Sequence, residues 1–130
     1  MATRWYITPY DPVHWKDEHS SGVESELVVN VWDFSQQARA KWPSYQDYPI
    51  HSWDIIEDGV EISGNFDGKG FQILTLEGTG NLFNQFVTWY RTYIPAKHKL
   101  FLFIEGSWDS LELVDGITDD DVGQFAGFGR

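Results

Sequence analysis

"NQFVTWYRTYIP", residues 84–95, sets four aromatic rings, one arginine and a closing proline in a single short run. Rings interleaved with a cation can build a platform that stacks on a base, a sugar or a quaternary amine, and they can equally be the buried side of a helix. The two readings are separated by projecting residues 81–94 at about 100° per residue from Leu82. Phe83, Phe86, Val87, Trp89, Tyr90, Tyr93 and Ile94 then fall with Leu82 in one arc of roughly 160°. Asn81, Asn84, Gln85, Thr88, Arg91 and Thr92 fill the remainder. Rings and cation do not share a face, so the pattern predicts an amphipathic helix laid on a sheet. Pro95 restricts the residue before it and ends that helix at Ile94. Trp89 at the rim of the apolar stripe and Arg91 on the polar side beside the boundary are its two candidates for contact with a partner.

Working outward, strands and one further helix surround this element. RWYIT, residues 4–8, alternates Trp5 and Ile7 with Tyr6 and Thr8 before Pro9 and Pro12 break the run. Residues 11–25, DPVHWKDEHSSGVES, are polar and rich in turn formers and read as a flexible loop. LVVNVW, residues 27–32, reads as a strand. It runs into a short helix over 34–42, with Phe34, Ala38 and Trp42 four apart, Asp33 as N-cap with Gln36 three residues on, and Pro43 as terminator. A polar link, SYQDYPIHS, leads to three strands at 52–57, 60–66 and 70–76. The first two are joined by Asp58-Gly59, and the second two turn through Asp67-Gly68-Lys69-Gly70. After the helix, KLFLFIEG carries five consecutive apolar residues and reads as a central strand over 99–105, covered on both faces. SLELV, residues 110–114, reads as the last strand, and the tail 117–130 as one helical turn capped by Thr118 that then frays.

The expected fold is one α+β domain spanning 1–130, an antiparallel sheet of about five or six strands with two helices packed on one face. At 130 residues the chain is long enough to bury about two-thirds of its unfolded surface. Seven tryptophans, at 5, 15, 32, 42, 53, 89 and 108, are spread along it, which favours rings donated to the core by every element.

Charge narrows the functional classes. Nine basic against twenty acidic residues leave a net of −11, a field that repels phosphate backbones and anionic membrane surfaces. No nucleic-acid or membrane role is therefore expected. The same field steers a basic protein toward the chain, or it simply maintains solubility. The sequence has no run of the roughly 18 apolar residues that a membrane helix needs. MATRWYITPY shows no secretory-signal pattern, and cysteine is absent, so a cytoplasmic location is expected.

The order of WYITPYDP, a strand-to-helix segment ending in AKWP, a hairpin, FVTWYRTYIP and LFLFIEGSW resembles small acidic bacterial proteins of uncharacterised function, some of them immunity-like proteins that neutralise toxins. The resemblance covers most of the chain and implies a binding role. It carries no functional motif.

Candidate chemistry is sparse. GNFDGKG, residues 64–70, falls one residue short of a phosphate-binding loop and has Gly70 where a metal-holding hydroxyl is needed, so it reads as a hairpin turn. EGTGN, residues 77–81, precedes a helix but holds two glycines of a three-glycine fingerprint and reads as a capping turn. His14 and His19 are five apart, which does not align two ligands on a helix. Ser52 beside His51 is adjacency alone. Asp119, Asp120 and Asp121 lack the alternating oxygens of a calcium loop and suit the positive end of a short helix. No cofactor, metal or catalytic residue is assigned. Candidates for a basic protein partner are Trp15, Asp17 and Glu18 in the loop, Trp89 and Arg91, and Asp119–Asp121. The alternative is a small-ligand or hydrolase pocket between the sheet and the 11–25 loop. Self-association through Trp108, Phe125 and Phe128 is a third reading.

Overall fold

The protein is described here by a computed structural model covering residues 3–12 and 25–128. Strand alternation sets its frame. In β1 (Arg4–Thr8), Trp5 and Ile7 are buried on one side while Arg4 and Tyr6 point to the other. The remaining elements are α1 (Val31–Lys41), β2 (Gln46–Tyr48), β3 (Ser52–Glu57), β4 (Val60–Asp67), a single 3-10 turn (Lys69–Phe71), β5 (Ile73–Glu77), α2 (Gly80–Tyr93), β6 (Phe101–Ile104), β7 (Leu111–Glu112) and α3 (Asp119–Ala126). The strands form one antiparallel sheet in the order β2-β3-β4-β5-β1-β6-β7. The α+β class is the expected one, with seven strands and three helices among the described residues.

Several expectations are corrected. Residues 27–30 join no ladder, although Leu27 and Val29 are buried and Val28 is exposed as in a strand. Their backbone is tied instead to the 3-10 turn region, where Val29 N–H donates to the Gly70 carbonyl at 2.8 Å and Gln72 Nε2 donates to the Leu27 carbonyl at 2.7 Å. The N-cap of α1 is Asn30, whose Oδ1 accepts from Asp33 N–H at 3.0 Å, so Asp33 lies inside the first turn. The polar link contains β2, which pairs with β3 through Gln46–Asp54 and Tyr48–Ser52. β6 is one strand from the edge, and β5 holds the centre. The tail docks: Thr118 and Asp121 form a capping box, Gly127 ends α3 in a left-handed conformation, and Phe125 and Phe128 pack edge-on against Trp5 at 6.3 and 6.1 Å. Edge-on aromatic packing of this kind holds the last turn to the core.

The hairpin expected at Asp58-Gly59 is present, with φ of +53° and +79° matching the mirror-image turn that suits strand twist. The register across β3, β4, β5 and β1 places Trp53, Gly64, Leu76 and Trp5 in one row facing the helices. Gly64 is required there, because a Cβ would lie 2.5 Å from Trp53 Cζ2 and 2.9 Å from the Thr75 carbonyl oxygen. Phe34 of α1 sits at the middle of this layer, touching Phe66 at 4.8 Å, Trp53 at 5.6 Å and Phe86 at 6.2 Å between ring centroids. α2 supplies Phe83, Phe86, Val87 and Tyr90, all nearly inaccessible, so the opening stretch is core. All three helices of the described residues lie on this one side.

Candidate functional site

Among the described residues no helix lies on the other side of the sheet, and the strand register arranges that side in rows. Tyr48, Ser52, Asn65, Thr75, Tyr6 and Phe103 are successive cross-strand neighbours, a line that begins polar and ends aromatic. A parallel line runs Gln46, Asp54, Ser63, Glu77 and Arg4, and Glu105 N–H extends it by donating to the Arg4 carbonyl at 2.9 Å. Both lines follow from period-two alternation: residues between them in sequence, such as Trp53, Leu76 and Trp5, are in the core.

Two adjoining depressions share Tyr6 and Ile73. The polar one measures about 690 Å³ and includes Arg4, Asp54, Asn65, Asp67 and Glu77. The aromatic one measures about 370 Å³ and is lined by Tyr6, Pro12, Ile73, Phe103 and Trp108 among others. Tyr6 and Phe103 lie 5.5 Å apart between centroids, and Trp108 is 69% exposed.

Electrostatically the face is acidic. Asp54, Glu61, Asp67, Glu77 and Glu105 sit on it, and Arg4 is held between Glu77 at 3.5 Å and Glu105 at 3.8 Å. The Arg4 guanidinium is shifted above its ordinary pKa by the neighbouring Tyr6 hydroxyl first and Glu105 next. Tyr48 Oη lies 3.0 Å from both Asp54 Oδ2 and Gln46 Oε1, and the carboxylate contact raises the Tyr48 pKa. Hydroxyls, an amide and carboxylates side by side offer hydrogen bonds and charge to a bound molecule. No histidine lines either depression among the described residues.

The predicted site residues are scattered. Trp15, Asp17 and Glu18 lie outside the described residues, as do His14 and His19. Trp89 is half-buried against Trp42 at 5.3 Å and Tyr93 at 5.5 Å. Arg91 is a correction: it is 4% exposed, and its guanidinium donates to the carbonyls of His98, Leu113, Ile94 and Pro95 at 2.9 to 3.1 Å. Desolvation depresses its pKa from the ordinary value. The helical projection missed this because the polar side of α2 is itself covered. Leu113 reaches Arg91, α3 packs alongside, and Asn84 is buried as well. Asp119, Asp120 and Asp121 are exposed on the first turn of α3, in the helix layer away from the uncovered face. Thr88 Oγ1 donates to Asp119, and Asp121 completes the cap with Thr118. Phe125 and Phe128 are spent on Trp5, which leaves Trp108 as the exposed ring of that trio.

His51 packs edge-on against Phe71 at 4.5 Å, with no sign of partnership with Ser52 among the hydrogen bonds of the described residues. No cluster of three His, Cys, Asp or Glu side chains suited to a metal occurs among the described residues, and none of their helices is long and apolar enough to cross a membrane. Fold and face together define an α+β domain whose sheet, among the described residues, has one covered and one uncovered surface. No protein-family model, curated protein or solved structure matches the chain.

Proposed function

We propose that this chain is a non-catalytic acidic binding protein of immunity type, which occupies a basic partner protein through the uncovered sheet face. The supporting observation is the charge of that face: Asp54, Glu61, Asp67, Glu77 and Glu105 lie on it with Arg4, which Glu77 and Glu105 already neutralise. In a chain of net −11, such a surface accelerates encounter with a cationic protein and discriminates against acidic ones. The hydroxyl and amide row from Ser52 to Thr75 supplies hydrogen bonds, and the aromatic end supplies contact area.

The test is capture of a partner at low and high salt with two charge-reversed variants. Asp54→Lys with Asp67→Lys is expected to abolish capture of a basic protein, while Asp119→Lys with Asp120→Lys on α3 retains it. Recovery of only acidic proteins, or a complex indifferent to salt, would remove this reading.

A second reading, a small apolar ligand, is favoured by the aromatic depression, which Pro12 helps to line. Saturable binding of an apolar dye, displaced by a larger Phe103→Trp side chain, is the expected result of that reading.

A further inference from the structure

The aromatic depression has a feature that area alone does not explain. Three of its lining side chains, Tyr6, Phe103 and Trp108, are aromatic, its surroundings are acidic, and among the described residues no lysine or arginine lines it. Tyr6 and Phe103 are tilted 34° to one another, and Trp108 stands beside them on the 106–110 segment. That segment is fastened by Ser110 Oγ donating to Asp11 Oδ1 at 3.3 Å and by Asp109 N–H donating to Ser107 Oγ at 3.0 Å. Asp11, Glu105 and Asp109 adjoin the lining residues Pro12, Gly106 and Trp108 in sequence, and Glu105 and Asp109 are exposed. Arg4, the nearest cation on the sheet, is engaged by Glu77 and Glu105. The cation–π pairs among the described residues, Arg39 over Tyr45 at 5.2 Å and Lys41 over Trp42 at 5.8 Å, use rings on the helix-covered side.

We infer that this depression is the receptor for one arginine side chain of the basic partner, an inference that rests on the reading of the uncovered face as a basic-protein surface. Ring faces carry negative quadrupolar potential, and the adjoining carboxylates add charge of the same sign. A guanidinium is planar, weakly hydrated and stacks on rings, whereas an ammonium is compact and holds its water, so arginine is selected over lysine. The arginine stem lies along Pro12 and Ile73, and its head reaches the Tyr6, Phe103 and Trp108 rings. Trp108, 69% exposed in the free protein, is the residue such an arginine covers. Aromatic anchors that gain cover on association carry a disproportionate share of interface energy.

The probes are three acetylated, amidated tripeptides, of arginine, lysine and citrulline, titrated into the whole chain. The readout is the indole N–H signal of Trp108, assigned by its loss in Trp108→Phe. The arginine peptide is expected to shift that signal saturably. The lysine peptide shifts it more weakly, and citrulline, nearly isosteric and neutral, leaves it in place. Trp108→Ala is expected to weaken arginine-peptide binding by about fivefold or more, while Trp108→Phe keeps most of it. If citrulline acts like arginine, or Trp108→Ala binds with unchanged affinity, the inference is overturned. Salt-sensitive peptide binding that persists in that case leaves the basic-partner reading standing. If the arginine peptide does not bind the unaltered chain at all, both fall.

Discussion

The two faces of one sheet differ in almost every respect although the same strands make both. On the covered face, Trp5, Trp53, Phe66 and Leu74 meet Phe34, Phe83 and Phe86 from the helices, and each is nearly inaccessible. On the uncovered face, Tyr6, Ser52, Asn65 and Thr75 from the same four strands remain half-exposed. Folding energy is concentrated on one face, which leaves residues on the other free to be selected for contact. Substitutions therefore separate into those that unfold the protein and those that change only what it binds.

The largest effect is expected at Trp53. Trp53→Ala removes a side chain 2% exposed that touches Phe34, Tyr45 and Phe86, and should cost about 3–5 kcal/mol in urea unfolding. A loss below about 1 kcal/mol, well under the range for deleting a buried ring, would mean that the covered face is not the principal core. Arg91→Met follows. It leaves four carbonyls without their donor, and a charged donor to each is worth more than a neutral one, so a loss of about 3 kcal/mol is expected. Little change in stability would show that the guanidinium is replaceable by water.

Tyr90 gives an alkaline test of the same layer. Burial raises its phenol pKa far above the ordinary value, so the folded chain keeps this proton when the unfolded chain has lost it. The unfolded state then binds fewer protons than the folded one above about pH 10, and stability falls with rising pH by up to about 1.4 kcal/mol per pH unit. Below that pH the group contributes no pH dependence. Tyr90→Phe is expected to flatten the decline between about pH 10 and 11. An unchanged slope in thermal melts would assign the loss to other groups. The smallest stability effect belongs to the uncovered face: Asn65→Ala with Thr75→Ala should stay within about 0.5 kcal/mol per site of the unaltered chain. The pair should nonetheless weaken partner capture, and a large destabilisation would erase the distinction between the faces.

Much of the covered face was legible in the sequence, because helix and strand periods report burial directly. The projection of residues 81–94 identified Phe86, Val87 and Tyr90 as core, and the alternation of Val60–Phe66 separated Ile62 and Phe66 from Glu61, Ser63 and Asn65. Periodicity reports only which side of an element is apolar, however, and says nothing about a second neighbour. Arg91 and Asn84 occupy the polar side of α2 and are buried by α3 and the Leu113 segment. The uncovered face was illegible for a related reason. Tyr6 and Phe103 are ninety-seven residues apart, and only the adjacency of β1 and β6 brings them together. Leu27–Asn30 misled because alternating burial is shared by strands and by extended chain pinned through Gln72 and Gly70.

The contact of Trp5 with Phe128 joins residues near opposite ends of the chain, their rings 6.1 Å apart. The covalent order of the elements is therefore only one of several that suit this architecture. A short flexible linker from Phe128 to Arg4, with new termini cut at the exposed Asp58-Gly59 turn, is expected to give a circular permutant with the same sheet order. Such a permutant would move both termini to the turn between β3 and β4, next to the polar end of the uncovered face, where a fused reporter would sense whatever binds there.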